Sequence, residues 1–155
     1  MHDDLMGAAI DLAVRNVRSG KGGPFAALVV QDGRIVGEGT NCVTSSNDPT
    51  AHAEINAIRS ACAELQSYRL NGCELYTTCE PCPMCLGAIY WARIDRVYYA
   101  ATRDDARDAG FDDRHIYEEL ARSIPHRRID MIRALPESAA KAFDAWAEQS
   151  DRVPY

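Results

Sequence analysis

The chain has 155 residues, of which 46% are hydrophobic and 26% are charged, with a net charge of −6. This length and composition fit one globular domain and exclude disordered, fibrous and low-complexity proteins. No apolar stretch approaches the roughly 20 residues that a membrane-spanning helix needs. No long basic run is present, so the electrostatic attraction that drives binding to nucleic acid is missing and a small substrate is favoured.

The first residues and the cysteines indicate the compartment. Residues 1–4 are acidic and lack the basic start of a signal peptide, which predicts a cytoplasmic protein. Three of the six cysteines, Cys79, Cys82 and Cys85, lie within seven residues of one another. In a reducing compartment, such clustering favours metal ligation over disulfide formation.

The hydrophobic pattern predicts helices alternating with strands. Helical spacing predicts helices over residues 4–18, 51–65, 82–93, 114–122 and 137–149. Apolar or alternating runs predict strands over residues 25–30, 34–41, 74–78 and 96–100, with an edge strand over 130–135. Asp32-Gly33 predicts a hairpin between the first two strands, and residues 103–117 are expected to be irregular around Gly110. The hairpin and the strand–helix–strand units together predict a single α/β domain, residues 1–155, with a mixed sheet.

Two short motifs carry the chemistry, and each lies at a predicted helix start. They are His52-Ala53-Glu54 and Pro81-Cys82-Pro83-Met84-Cys85. Cys82 and Cys85 are three residues apart, so their sulfurs share one face of the first helical turn. Free N–H groups at a helix N-terminus favour the thiolate form that zinc requires. One imidazole from His52 and two thiolates, with a fourth position open, are typical of a catalytic zinc site.

Glu54 follows His52 by two residues, which places a carboxylate near the metal without making it a ligand. There it can move protons between zinc-bound water and a leaving group. This H-x-E and P-C-x-x-C pair is the signature of zinc-dependent nucleobase deaminases, in which zinc-activated water attacks the ring carbon that bears an amino group. A redox cysteine pair would not require the distant H-x-E motif. A structural zinc site would need a fourth ligand, for which Cys79 is the candidate.

Longer stretches around these motifs resemble a known family over nearly the whole chain. The sequence resembles the cytidine deaminase-like superfamily and, within it, the small bacterial guanine deaminases. The zinc motifs mark the superfamily, whereas Tyr90-Trp91-Ala92-Arg93, residues 109–113 and the terminal Tyr155 are typical of guanine deaminases. The remaining matching stretches are residues 22–25, 46–54, 78–89 and 143–146.

This resemblance implies a three-layer α/β/α cytidine deaminase-like fold with a five-stranded mixed sheet and a C-terminal helical tail. It implies one Zn²⁺ ion per subunit and hydrolytic deamination of guanine to xanthine and ammonia, in purine catabolism or salvage. It also implies a homodimer whose C-terminal segments, about residues 137–155, are exchanged and cap the partner's active site.

The same resemblance implies roles for six residues around a purine base. Guanine presents N–H donors beside an oxygen acceptor, which a carboxylate and an amide would match. Asp113 would accept from the N–H edge, with Asp112 as the alternative, and Tyr155 would help to close the pocket. Phe25 and Trp91 would line the pocket, although as residue types they suit a core equally well. The implied substrate-binding residues are Asn41, Ala53, Asp113, Phe25, Trp91 and Tyr155.

The zinc motifs leave other functions open. Guanosine, cytosine and ammeline each carry an amino group on a carbon next to a ring nitrogen, and the basic stretch 122–133 leaves open whether the pocket rim admits a ribose. The tRNA adenosine deaminases share the motifs, but the acidic tail over residues 134–155 makes RNA an unfavourable partner. A binding module held together by zinc, without catalysis, is a further alternative.

Overall fold

The computed structural model describes all residues, 1–155. The five predicted helices and four of the five predicted strands are present in the predicted order, with bounds shifted by at most three residues, and two short helices are additional. The strands are β1 (Ala26–Gln31), β2 (Arg34–Thr40), β3 (Cys73–Cys79) and β4 (Arg96–Ala101). The helices are α1 (His2–Arg18), α2 (Val43–Ser46), α3 (Ala53–Leu65), α4 (Pro83–Ala92), α5 (Arg103–Asp108), α6 (Arg114–Ala121) and α7 (Ala140–Glu148). The chain forms two compact units, residues 1–117 and 118–155.

The sheet belongs to the first unit and is mixed, as the sequence predicts. Its strand order is β2-β1-β3-β4. Strand β1 pairs antiparallel with both β2 and β3, whereas β3 and β4 are parallel. The predicted hairpin turn is present, because Asp32 and Gly33 both adopt positive φ angles, of 51° and 77°. The parallel pair is connected by α4, as expected for a strand–helix–strand unit.

The sheet has four strands, so the predicted fifth strand is wrong. Residues 130–135 adopt no regular secondary structure and lie in the second unit. Their sequence does not keep the period of two that a half-buried strand requires, because the apolar Met131 and Ile132 are adjacent. A short strand without a partner ladder is not stable by itself.

Helices cover both faces of the sheet, which confirms the three-layer arrangement. Alternate residues of β1 point to opposite faces. Leu28 and Val30 pack in a cluster with Ala9 of α1 and with Tyr76 of β3. Ala27 and Val29 pack in a second cluster on the other face, where the helices are α3 and α4. The core therefore lies in two layers, one on each side of the strands.

Helix α3 approaches β2 so closely that two positions of the strand must be glycine. A Cβ atom at Gly39 would overlap the backbone of Ala53 and Ala57, and one at Gly37 would overlap the backbone of Ala57 and Ala61. These contacts also show that the helix runs antiparallel to the strand, because Gly37 lies against Ala57 and Ala61 whereas Gly39 lies against Ala53 and Ala57. The start of α3 therefore lies beside the end of β2.

Beyond β4 the regular structure is limited to short helices, and the second unit has no buried residue. A short helix, α5, occupies part of the stretch expected to be irregular, and Thr102 caps it through a reciprocal capping box with Asp105. The irregular backbone is confined to residues 109–113, around Gly110, where φ is 95°. No helix of the chain has both the length and the apolar character to cross a membrane.

Candidate active site

The structure brings the three predicted metal ligands together. His52 Nδ1 lies 3.6 Å from the sulfur of Cys82 and 3.5 Å from the sulfur of Cys85. All potential ligand atoms of this triad lie within 4.8 Å of one another. At a tetrahedral zinc ion with usual bond lengths, a nitrogen and a sulfur ligand stand roughly 3.5 Å apart. The spacing of the triad therefore fits zinc.

Two helix N-termini hold these ligands. His52 is the N-cap of α3 and Cys82 is the N-cap of α4, and both have extended backbone conformations. Pro83 occupies the first turn of α4, where its missing N–H costs no helical hydrogen bond. Cys85 lies in the same first turn and is completely buried. The triad therefore lies at two helix N-termini, where free N–H groups and a partial positive charge favour a thiolate.

The ionisation of the triad suits a metal site. Cys82 accepts a hydrogen bond from the Cys85 thiol and another from His52, which together lower the pKa of Cys82 to about 4. The hydrogen bond to Cys82 raises the pKa of His52. The pKa of Cys85 is raised because its thiol donates to Cys82 and is buried. A nitrogen donor beside an easily formed thiolate is a donor set that zinc prefers.

Glu54 lies next to this triad without joining it. It is the second residue of α3 and only 6% exposed. Burial raises the pKa of its carboxyl group, which also forms a hydrogen bond with the Cys85 thiol. Glu54 lines the same cavity as His52 and Cys82.

A cavity of about 610 Å³ opens beside the triad and contains four of the six implied substrate-binding residues. Phe25 and Asn41 come from the segments that flank β1 and β2, and Ala53 from the start of α3. Asp113 comes from the segment between α5 and α6. The ring of Phe25 also meets Phe111 edge to face, with centroids 4.9 Å apart. These segments are distant in sequence, and the sheet brings them together.

Trp91 and Tyr155 are not part of this cavity lining. Trp91 lies near the end of α4 and is 64% exposed. Tyr155 ends the chain in the second unit and is 77% exposed. Their implied roles at the base remain predictions.

Asp113 and Asp112 both line the cavity, and their surroundings differ. Asp113 is partly buried, and that burial raises the pKa of its carboxyl group. Asp112 is exposed, and its carboxylate accepts from the backbone N–H of Arg114 at 3.0 Å and pairs with the Arg114 guanidinium. Asp112 is therefore engaged with the start of α6.

Several residues of the cavity wall have no role predicted from the sequence. Phe111 lies inside a family-like stretch, and its edge-on contact with Phe25 depends on the fold. Arg103 stands over the ring of Tyr117, 5.0 Å from its centroid, and lines the cavity.

Cys79 also lines the cavity, and burial raises its pKa to about 11. Its sulfur lies outside the metal-ligand triad, so the structure does not support Cys79 as a fourth ligand.

Comparison with known proteins identifies the family. A family model described as the cytidine and deoxycytidylate deaminase zinc-binding region matches residues 1–101. The chain belongs to this zinc-binding deaminase family. The fold and the His-Cys-Cys zinc site expected from the sequence are thereby confirmed.

Individual relatives are similar over more or less of the chain. Guanine deaminase of Bacillus subtilis is 49% identical over 154 residues, which cover 99% of each chain. The crystal structure of guanine deaminase from Bacillus subtilis matches with a TM-score of 0.97, over 100% of this chain and 99% of that one. A structure solved in complex with 2,6-diaminopurine matches with a TM-score of 0.70 and 38% identity, covering 73% and 63% of the two chains. A tRNA-specific adenosine deaminase of Agrobacterium fabrum is 51% identical over 78 residues, about half of each chain. The resemblance to guanine deaminases is therefore confirmed.

Replacing Cys82 by serine should remove the metal, because a serine hydroxyl at neutral pH is a much poorer zinc ligand than a thiolate. We expect bound zinc to fall from about one ion per chain to well below one, with a loss of thermal stability. Zinc content by elemental analysis and the unfolding temperature check this. Cys79→Ser is the matched control, since Cys79 lines the same cavity outside the triad. Equal zinc content in the Cys82→Ser and wild-type chains would contradict the assignment.

Proposed function

We propose that this chain catalyses the hydrolytic deamination of guanine to xanthine and ammonia. The observation that carries the proposal is the convergence at one cavity of three groups: the metal triad beside it, the buried carboxylate of Glu54, and the side chains of Asn41 and Asp113, which are complementary to guanine. The full-length similarity to guanine deaminase of Bacillus subtilis supports this substrate. Conversion of guanine to xanthine is a step of purine catabolism or salvage.

The catalytic part of the cavity divides between the triad and Glu54. A zinc ion held by His52, Cys82 and Cys85 would lower the pKa of a water molecule and make it a nucleophile near neutral pH. Glu54 takes up the proton released from this water at its carboxylate. It then donates a proton to the amino nitrogen, which leaves as ammonia. Its fixed position at the start of α3 holds the carboxylate toward the cavity.

The recognition part of the cavity matches the edge of guanine. The Asn41 amide donates to the oxygen of the base, and the Asp113 carboxylate accepts from the N–H groups beside it. Ala53 is the first residue of α3, where a backbone N–H has no partner inside the helix and can contact the base. Phe25 provides an apolar wall. A site with such polar groups rejects bases that leave them unpaired.

The charge of the cavity argues against phosphate-bearing substrates. Glu54, Glu80, Asp112 and Asp113 all line it, against a single arginine, Arg103. An acidic wall repels the backbone of RNA, so the structure offers no observation that favours tRNA. Guanosine, cytosine and ammeline carry no phosphate and remain the competitors to test.

We infer that the chain acts as a homodimer in a reducing compartment such as the cytoplasm. All six cysteines are free, which suits that compartment. Leu86 and Tyr90 expose apolar surface on α4, and Tyr90 is 71% exposed. The second unit exposes Ile132 and Phe143 as well. Contact with a second copy, including the implied exchange of residues 137–155, would cover such surface.

Glu54→Gln should abolish turnover while the metal stays bound. Glutamine keeps the size of the side chain but cannot accept and return a proton, so we expect ammonia release from guanine to fall at least about 100-fold. The assay compares guanine, guanosine, cytosine, ammeline and adenosine with the zinc-loaded chain. Glu64→Gln, on the exposed side of the same helix, is the control. Full activity in Glu54→Gln would remove this residue from the mechanism, and preference for another base would change the proposed substrate.

Asp113→Asn should impair guanine turnover without changing the zinc content. The amide replaces a charge-assisted acceptor, so kcat/KM for guanine should fall by roughly tenfold or more. Asp112→Asn is the matched control because Asp112 is engaged with Arg114. If the Asp112 variant were the impaired one, the recognition role would belong to Asp112.

The dimer can be tested by sedimentation equilibrium. We expect twice the mass of one chain for the wild type, and a shift toward the monomer in Tyr90→Glu, since a buried charge disrupts an apolar interface. Tyr68→Glu changes another exposed tyrosine and should leave the mass unchanged. A single-chain mass for the wild type at micromolar concentrations would rule out the dimer.

A further inference from the structure

We infer that Asn16 and Asn56 are positioning residues that fix Asn41 between them, so that the Asn41 amide presents an N–H donor to the base. The two side chains, called the asparagine clamp below, come from helices on opposite faces of the sheet. This inference rests on the proposed function, because it assigns the clamp a part in distinguishing an oxygen from an amino group on the purine.

Asn16 forms the first half of the clamp. It lies near the end of α1 and is only 4% exposed, which is unusual for an asparagine. Its side-chain nitrogen donates to the carbonyl oxygen of Asn41 at 2.9 Å and to that of Gly23 at 3.0 Å. Both N–H groups of this amide are therefore used to hold backbone of the cavity wall.

Asn56 forms the second half, from α3. Its side-chain nitrogen donates to the carbonyl oxygen of Thr40 at 2.8 Å and to that of Ala51 at 3.4 Å. The carbonyls of Thr40 and Asn41 belong to the peptide groups on either side of the Asn41 Cα atom. The clamp therefore restrains both backbone dihedral angles of Asn41, one peptide group from each helix.

Two further contacts orient the side-chain amide of Asn41. Its oxygen accepts from the backbone N–H groups of Gly23 and Val43, both at 3.4 Å. Gly23 is thus held by Asn16 through its carbonyl and held against Asn41 through its N–H. A side chain at Gly22 would overlap the Asn41 carbonyl, so the loop also packs directly on this residue. With its oxygen engaged, the Asn41 amide offers its nitrogen.

A fixed N–H donor at this point has a chemical consequence. It pairs with an oxygen on the six-membered ring of a purine, as in guanine, and opposes an amino group there, as in 2,6-diaminopurine. If Asn16 is removed, the partly buried carbonyl of Asn41 loses its side-chain donor, whereas that of Gly23 keeps the backbone N–H of Phe25 at 2.9 Å. The backbone of Asn41 must then move to find another donor. The Asn41 amide can then turn over and accept from an amino group. Loss of the clamp should therefore weaken discrimination more than it weakens catalysis.

The test measures kinetics and equilibrium binding in Asn16→Leu and Asn56→Ala. We expect KM for guanine to rise about tenfold, with kcat changed less than about threefold, because the clamp acts on binding and not on Glu54 or the metal. In a Glu54→Gln background, the preference for guanine over 2,6-diaminopurine, as a ratio of dissociation constants by calorimetry, should fall at least about tenfold. Zinc content should remain unchanged.

Tyr76→Phe is the control for a general loss of stability. Tyr76 is completely buried in the core cluster that α1 covers, outside the cavity. Its hydroxyl donates a hydrogen bond to Glu74. The Tyr76→Phe substitution should lower the unfolding temperature without altering the ratio of dissociation constants. If Asn16→Leu does not fold, the partly buried Asn56→Ala decides the question.

The outcomes separate the two proposals. A wild-type chain that releases no ammonia from guanine would overturn the proposed function. The ratio of dissociation constants for guanine and 2,6-diaminopurine would still test the clamp. The clamp would be overturned if both variants kept the wild-type preference for guanine. It would also be overturned if Tyr76→Phe changed KM and the ratio of dissociation constants as much as the two clamp variants do. Absence of binding to either purine would overturn both.

Discussion

Helix α3 lies directly on strand β2, because Gly37 and Gly39 have no side chain to hold the two backbones apart. Small residues of the helix, Ala53, Ala57 and Ala61, complete the contact and are fully buried. The direction of packing places the start of the helix at the end of the strand. His52 and Glu54 therefore stand beside Asn41, and Asn56 can reach the carbonyl of Thr40. A larger residue at either glycine would change the positions of His52, Glu54 and Asn56 relative to Asn41 at the same time.

The second half of the metal site depends on the centre of the sheet. Strand β3 pairs with β1 on one side and β4 on the other, so the turn from its end into α4 is anchored on both flanks. Two helix N-termini then converge on one point, and their partial positive charges stabilise thiolates there. The same convergence buries Glu54, whose charge the first-turn N–H groups can also offset. The metal site is thus part of the packing of the domain.

The sequence was sufficient for those parts of the fold and site that local patterns encode. His52, Cys82 and Cys85 were predictable because each motif lies at a helix start, where spacing alone puts the side chains on one face. The asparagine clamp was not predictable, because Asn16 and Asn56 look like ordinary polar residues of amphipathic helices and act on backbone 25 and 16 residues away. The edge strand predicted over 130–135 is absent, because that segment is apolar in composition but does not alternate strictly. Trp91 and Tyr155 are exposed in the chain, so their implied roles depend on the proposed second copy.

The proposed catalytic residues and the proposed recognition residues lie on different kinds of structural element. The triad and Glu54 lie on the starts of two packed helices, whereas Phe25 and Asp113 lie on connecting segments. Connecting segments tolerate change better than packed elements do. Asn41 is intermediate, because it follows a strand and is held by two helices through the clamp. On the proposed function, a change in the segment around Asp113 would therefore alter which base is bound. A change in the clamp would alter how strictly an oxygen is preferred to an amino group, and neither change would disturb the metal.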